Sequence, residues 1–276
     1  MASPPTSPND RSAGDPSASG STEQVPFGNR DVPASEKAGL VRGVFESVAP
    51  RYDLMNDLMS AGIHRLWKNT LVDVLNPRPG EKLLDVAGGT GDIAFRIARR
   101  QMARGAERPP ATVCDVTVCD INAAMLAVGR DRAINQGLVK GIAWTTGDAE
   151  ALPFSDRWFD GYTIAFGLRN VTDIDKALAE GHRVLKPGGR FWCLEFSKVS
   201  SRSLGQLYEA YSSRALPLLG RVVAGDAESY RYLHESIRRF PAQRQLAERL
   251  RKAGFVNVSW RNMSMGIVAL HGGWRI

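Results

Sequence analysis

Residues Leu83 to Asp92 read Leu-Leu-Asp-Val-Ala-Gly-Gly-Thr-Gly-Asp, an apolar run that ends in an acid and a cluster of three glycines. A segment of helical composition, Ile93-Ala94-Phe95-Arg96-Ile97-Ala98, follows at once. Strand, tight turn and helix start in that order let backbone approach a ligand closely, and only glycine leaves the room. The dinucleotide pattern G-x-G-x-x-G is not met, because counting from Gly88 puts Thr90 and Ile93 at its third and sixth positions. No phosphate-loop lysine follows either. The flanking acids Asp85 and Asp92 disfavour phosphate and suit a ligand carrying positive charge. Taken alone, the stretch is also compatible with an ordinary buried strand and turn.

The rest of the chain repeats the theme. Strands are expected over Lys82–Ala87, Val113–Asp120, Ile142–Thr146, Gly161–Phe166 and Gly189–Phe196, with helices over Asp92–Met102, Ala123–Asn135 and Ile174–Leu185 between them. Such alternation builds a doubly wound, mostly parallel α/β sheet. Two closing runs, Phe255–Met263 and Gly266–Leu270, imply an antiparallel C-terminal hairpin and bring the expected strands to seven. That Rossmann-like combination is the arrangement of class I methyltransferases. Before the first strand, helical spacing runs from Gly39 to Leu75, broken at Pro50, and a further helix is expected from about His64. The expected organisation is a disordered Pro/Ser-rich tail over 1–36 and one domain over 37–276, with a helical lid at 37–78 and a helical insertion at 201–253.

With 276 residues and 43% hydrophobic content, the chain is large enough for a full core. No apolar run reaches the roughly 18 residues of a membrane span, and no signal peptide or Arg-rich presequence is evident at the start. The three cysteines, Cys114, Cys119 and Cys193, have no metal-ligand spacing. Their odd number fits a reducing cytoplasm. No metal site is expected. The net charge is +7, yet residues 1–40 hold three Lys/Arg against five Asp/Glu, so the remainder is more basic still. Seven Lys/Arg fall between Arg231 and Lys252 against Glu235 and Glu248. Such a stretch suits an anionic membrane surface or nucleic acid, and a solvated helix face at least as well. A nucleic-acid methylating role is disfavoured, since no Asp-Pro-Pro-Tyr-like motif and no Pro-Cys nucleophile occur.

In open α/β sheets, ligands bind at the carboxyl ends of the strands. S-adenosylmethionine, with its sulfonium and amino group, fits the acid-flanked glycine turn, with Gly88 and Gly91 giving room and Thr90 available to the methionine part. Asp120 ends the second strand, where it can accept both ribose hydroxyls; it can equally cap the helix that follows. Asp148-Ala149 follows the third strand. There a carboxylate can accept from an adenine amine while a small residue lets the ring lie flat, although a plain loop aspartate fits as well. After the fourth strand come Arg169-Asn170, where a methyl acceptor would meet the sulfonium; a lone arginine there could instead pair with a structural acid. Four of the six tyrosines (Tyr208, Tyr211, Tyr230, Tyr232) lie in the insertion with Leu216-Pro217-Leu218-Leu219, which suits either an apolar tunnel or helix packing.

At this point the residues reach a family. The chain resembles the ubiquinone/menaquinone biosynthesis C-methyltransferases from Lys37 to Ile276. The resemblance rests on Tyr52-Asp-Leu-Met-Asn56, His64-Arg-Leu-Trp-Lys68, Asp85-Val-Ala-Gly-Gly-Thr-Gly-Asp92, Asp120-Ile-Asn122, Ala149-Glu-Ala-Leu-Pro-Phe154, Phe166-Gly-Leu-Arg-Asn-Val171, Arg183-Val-Leu-Lys-Pro-Gly-Gly189, Leu194-Glu-Phe-Ser197 and Asp226-Ala-Glu-Ser-Tyr-Arg-Tyr-Leu233. Lys-Pro-Gly-Gly is common to many methyltransferases, whereas the His64, Arg169-Asn170 and Asp226 blocks together are specific. The resemblance implies S-adenosylmethionine contacts at Thr90, Asp120 and Asp148-Ala149, and methylation of a ring carbon on a polyprenylated benzoquinol or a demethylmenaquinol. It departs at Asp148, where members often carry Asn, and at Ala165, where many carry Ser. The expected setting is the cytoplasm, with visits to the inner face of the membrane, and assembly as a homodimer or within a quinone-making complex.

Overall fold

The computed structural model describes residues 23–48, 57, 60, 62–105, 114–199 and 227–276. Its centre is a seven-stranded sheet. Five parallel strands arise from the alternating segments: β3 (Lys82–Val86), β4 (Asp115–Asp120), β5 (Ile142–Thr146), β6 (Phe159–Ala165) and β7 (Leu185–Phe196). An antiparallel pair, β8 (Val256–Met263) and β9 (Val268–Trp274), completes the sheet in the order β5-β4-β3-β6-β7-β9-β8, with β9 lying between β7 and β8. The strand order reverses between β3 and β6, which opens a crevice at their carboxyl ends. Leu84, Val86, Tyr162, Ile164 and Cys193 fill the middle of the sheet at 1% exposure or less. Near-continuous apolar strands of this kind are buried on both faces.

The helices cover those faces. Among the described residues they are α1 (Ala34–Val48), α2 (His64–Leu75), α3 (Asp92–Gly105), α4 (Ala123–Asn135), α5 (Ile174–Val184), α6 (Ala227–Arg239) and α7 (Gln243–Lys252). On α2, Trp67, Leu71, Val72 and Leu75 share one face at helical spacing and are buried in the core. Asn122 caps α4, its Oδ1 accepting from the N–H of Ala124 (3.0 Å) and Met125 (3.2 Å). The alternative role of Asp120 as that cap is therefore not the one the chain adopts.

The start of the described chain differs from expectation. Within the segment read as a disordered tail, β1 (Gln24–Phe27) and β2 (Arg30–Pro33) form a separate antiparallel hairpin. Gly28 turns it at φ +58°, and Val25 and Val32 pair across it and are buried. Gly28-Asn29 between short apolar runs is a hairpin signal, obscured here by Pro26, Pro33 and the low-complexity sequence before them. The Arg51–Asn56 block, Tyr208, Tyr211 and Leu216–Leu219 lie outside the described residues. Cys114, Cys119 and Cys193 are all buried and unpaired. Burial pushes the Cys114 and Cys119 thiols up to about 12, so neither is a reactive thiolate.

Candidate cofactor and acceptor site

At the carboxyl ends of β3, β4 and β6 the chain encloses a cavity lined by Ala87, Gly89, Asp120, Asp148, Ala149 and Asn170, with Ala38, Val41 and Arg42 of α1 closing over it. Two non-glycine residues at its edge hold left-handed backbone, Ala87 (φ +50°) after β3 and Phe166 (φ +58°) after β6. Such conformations are costly and persist where the surroundings over-determine them. Here the turns after the two strands pack closely, since a Cβ on Gly167 would run into that of Ala87.

Asp120 is set by two backbone donors. Its Oδ2 accepts from the N–H of Gly89 at 2.8 Å and its Oδ1 from that of Asn122 at 2.8 Å. Burial pushes this carboxyl up, and the two amides partly offset that. Asp148 accepts from the N–H of Glu150 at 2.9 Å, beside the buried Ala149. The loop that bears them is anchored by Arg183, which donates to Glu180 (2.6 Å), Asp156 (2.7 Å) and the carbonyls of Leu152 (3.0 Å) and Phe154 (2.8 Å). The arginine before Lys-Pro-Gly-Gly thus steadies the third-strand loop from below.

The glycines divide by task. A Cβ on Gly88 would fall 2.6 Å from Val118 Cγ1 and 2.7 Å from Asp85 Oδ2. One on Gly91, at φ +82°, would fall 2.5 Å from the Trp144 ring. Both therefore serve the packing of the turn. Gly89, not singled out in the sequence, is the glycine of this turn that lines the cavity. Thr90 is 2% exposed and faces a small adjoining recess shared with Lys68, Asp85, Gly88 and Asp92. Its hydroxyl accepts from Arg132 at 3.0 Å.

That recess tests whether the residues fit S-adenosylmethionine. Asp85 is 1% exposed; its Oδ1 accepts from Thr163 Oγ1 at 2.8 Å, while Oδ2 is buried without a partner. Burial, relieved only in part by Thr163 and Lys68, pushes this carboxyl up to about 7. At Asp92, burial pushes in the same direction but Lys68 and Arg96 outweigh it and hold the group at about 2. Lys68 itself donates to Asp92 at 2.8 Å. A buried acceptor with no partner beside a paired lysine suits an ammonium and a carboxylate on one ligand, as a methionine moiety carries. The fit is therefore good. The sequence marked Asp85 only as a flanking acid that suits positive charge and did not single out Lys68, whose signal was its place at the end of the His64 block.

The acceptor-side pair sits on a single 3-10 turn, Leu168–Asn170. Asn170 lines the cofactor-side cavity. Arg169 instead lines a second, neighbouring cavity with Lys37, Tyr232, Ser236 and Arg239. Its guanidinium donates to Glu195 at 2.8 Å, and its side chain is 3% exposed against 1% for Glu195. Pairing with a structural acid is therefore present, yet Arg169 Nε remains buried without a partner. Lys37 of α1 donates to the carbonyl of Val171 at 2.7 Å and ties the covering helix to the same turn.

The sheet order and the carboxylate-lined crevice define a class I S-adenosylmethionine methyltransferase fold. Solved structures agree on the fold: a methyltransferase from Thermotoga maritima aligns with a TM-score of 0.57 at 20% identity over 86% of this chain and all of its own, and the [4+2]-cyclase SpnF with 0.55 at 22% over 76% and 80%. The chain belongs to the ubiE/COQ5 methyltransferase family, whose pattern matches residues 32–275. A ubiquinone/menaquinone biosynthesis C-methyltransferase UbiE of a Bradyrhizobium strain is 57% identical over 91% of this chain and 96% of its own length. Its counterpart in Brucella abortus is 55% identical over 94% and 93%.

Proposed function

We propose that this chain is the S-adenosylmethionine-dependent C-methyltransferase that methylates a ring carbon of a polyprenylated benzoquinol, of the 2-methoxy-6-polyprenyl-1,4-benzoquinol type, with demethylmenaquinol as a second acceptor. The observation that carries this reading is the near full-length likeness to the UbiE proteins of Bradyrhizobium and Brucella, joined to a cavity with Asp120, Asp148-Ala149 and Asn170 on its wall.

Bound S-adenosylmethionine supplies an electrophilic methyl group. Asp120 would hold its ribose, Asp148-Ala149 its adenine, and Asp85, Lys68 and Thr90 its methionine part. The residues on the acceptor side must make a ring carbon nucleophilic, which requires an ionised hydroxyl. At a phenol-like pKa of about 10, ionisation at pH 7 costs roughly 4 kcal/mol. Asn170, and Arg169 through its unpartnered Nε, supply donors and positive charge that stabilise the phenolate. Guanidinium stays protonated, so a water or a carboxylate beside Arg169 takes the ring proton.

The substrate's apolar tail implies visits to an anionic membrane surface. Among the described residues no helix is long and apolar enough to cross a membrane. Within the basic stretch, Arg239 and Arg249 are held by Asp31 (2.6 Å) and Asp175 (3.0 Å), while Arg231, Arg251 and Lys252 stay exposed.

The test is methyl transfer from labelled S-adenosylmethionine to a short-tailed demethyl-benzoquinol and to a demethylmenaquinol under reducing conditions. Label in either product supports the reading, and cofactor binding with neither labelled overturns the acceptor assignment. Arg169→Lys should lower turnover at least about 100-fold; full turnover with an unchanged pH profile would remove Arg169 from the mechanism.

A further inference from the structure

The acceptor-side turn is also held from α6 and the β1–β2 hairpin. Tyr232 on α6 is 6% exposed, and its hydroxyl donates to Asn170 Oδ1 at 3.1 Å. Its ring stacks on Phe27 of β1, centroids 4.7 Å apart at 29°. The hairpin is in turn fastened to α6 one and two turns beyond that stack. Glu235 accepts from the backbone N–H of Asn29 at 2.9 Å and from Asn29 Nδ2 at 3.0 Å. Arg239 donates to Asp31 at 2.6 Å and to the carbonyl of Asn29 at 3.0 Å. A clamped aromatic ring thus delivers one hydroxyl to one amide in the site.

The direction of that hydrogen bond has a chemical consequence. Burial pushes the Tyr232 hydroxyl up to about 12, with Arg169 only partly offsetting it, so the proton stays on. Its donation occupies the oxygen of Asn170 and leaves the NH2 end for the cavity that Asn170 lines. There an amide presents either a donor or an acceptor, and only the donor stabilises a phenolate.

We propose that Tyr232, strapped by the β1–β2 hairpin, is a positioning residue for methyl transfer that turns the Asn170 amide so that its NH2 faces the acceptor's ionising hydroxyl. This rests on the quinol reading above. Tyr232→Phe tests it, because the stack on Phe27 is kept and only the hydroxyl is lost. The expected result is a kcat about 10- to 100-fold lower, with unchanged S-adenosylmethionine affinity. The acid limb of the kcat–pH profile should move to higher pH, because the acceptor hydroxyl loses part of its stabilisation. Asn170→Ala and the double variant should lose the same amount as each other, and Phe27→Ala should reproduce the effect in part.

A Tyr232→Phe enzyme with wild-type kcat and pH profile would overturn the proposal. So would a loss that follows thermal stability or cofactor affinity with no movement of the pH limb. The side-chain NH2 resonance of Asn170 in 15N-labelled protein supplies a readout independent of activity. It should be sharp in the wild type and altered in Tyr232→Phe; an unchanged signal would also overturn the proposal. Were the signal to change while the wild type methylates no quinol, the acceptor reading alone would fall.

Discussion

Glu195, near the end of β7, grips Arg169 at both ends: its Oε2 accepts from the arginine's backbone N–H at 3.3 Å and its Oε1 from the guanidinium at 2.8 Å. The backbone N–H of Phe196 also donates to Oε1, at 2.9 Å. Burial pushes the Glu195 carboxyl up, and Arg169 with the two amides partly restores it. Glu195→Gln leaves a buried guanidinium without its counter-charge, a change that typically costs about 3–5 kcal/mol. We expect that loss in urea denaturation, together with a fall in turnover. A stable, fully active variant would show that Arg169 is held by other groups.

The recess around Asp85 predicts a pH dependence of cofactor binding. A carboxyl raised to about 7 is half protonated near neutrality, and only its ionised form attracts an ammonium. S-adenosylmethionine affinity should therefore rise as pH rises through 7 and weaken below it by up to about tenfold per unit. Stability runs the other way. The unfolded chain releases this proton near the ordinary carboxylate value, so the group's contribution to the free protein is full below that value and is lost as pH rises through 7. Asp85→Asn should bind weakly with no pH dependence between 6 and 8 in titration calorimetry. A slope retained in that variant would place the titrating group elsewhere.

Arg183 predicts a separation of cofactor and acceptor effects. Its hydrogen bonds go to the Leu152 and Phe154 carbonyls of the loop following Asp148-Ala149, and none goes to the Leu168–Asn170 turn. Arg183→Ala should raise the S-adenosylmethionine KM about tenfold and leave the quinol KM near its wild-type value. Equal rises in both would contradict an anchor confined to the cofactor loop.

Two glycines should respond with opposite signs. Gly91→Ala drives a Cβ against Trp144 at a left-handed φ of +82°, so a loss of about 1–3 kcal/mol is expected. Gly43 lies in α1, where an added Cβ meets nothing within 4 Å. Gly43→Ala should stabilise by about 0.4–1 kcal/mol. Urea titrations of the pair check the assignment, and similar signs would refute it.

Legibility in the sequence followed the range of the interactions. Local patterns were readable: Ile142–Thr146, Ala123–Asn135 and the helix beginning at His64 form with the expected bounds. Asp120, Asp148, Ala149 and Asn170 reach one cavity because the topology of alternating units puts their strand ends there. Partners distant in sequence were not readable. Nothing in the spacing links Tyr232 to Asn170, 62 positions away, or Asn29 to Glu235, 206 positions away. The opposite error occurred at the glycine turn, where sequence alone could not tell that Gly88 and Gly91 face Val118 and Trp144 while Gly89 faces the cavity.

The insertion of β9 between β7 and β8 bears on how such enzymes diversify. The strand ends that present Asp120 and Asp148 are complete before β7 begins, whereas the chain that supplies Tyr232 lies wholly between β7 and β9. Closing that excursion depends only weakly on its length, about 0.6 kcal/mol for each doubling of a flexible loop. Descendants of a common ancestor can thus lengthen, shorten or rewrite the excursion to accept a new nucleophile while inheriting the methyl-donor half unaltered.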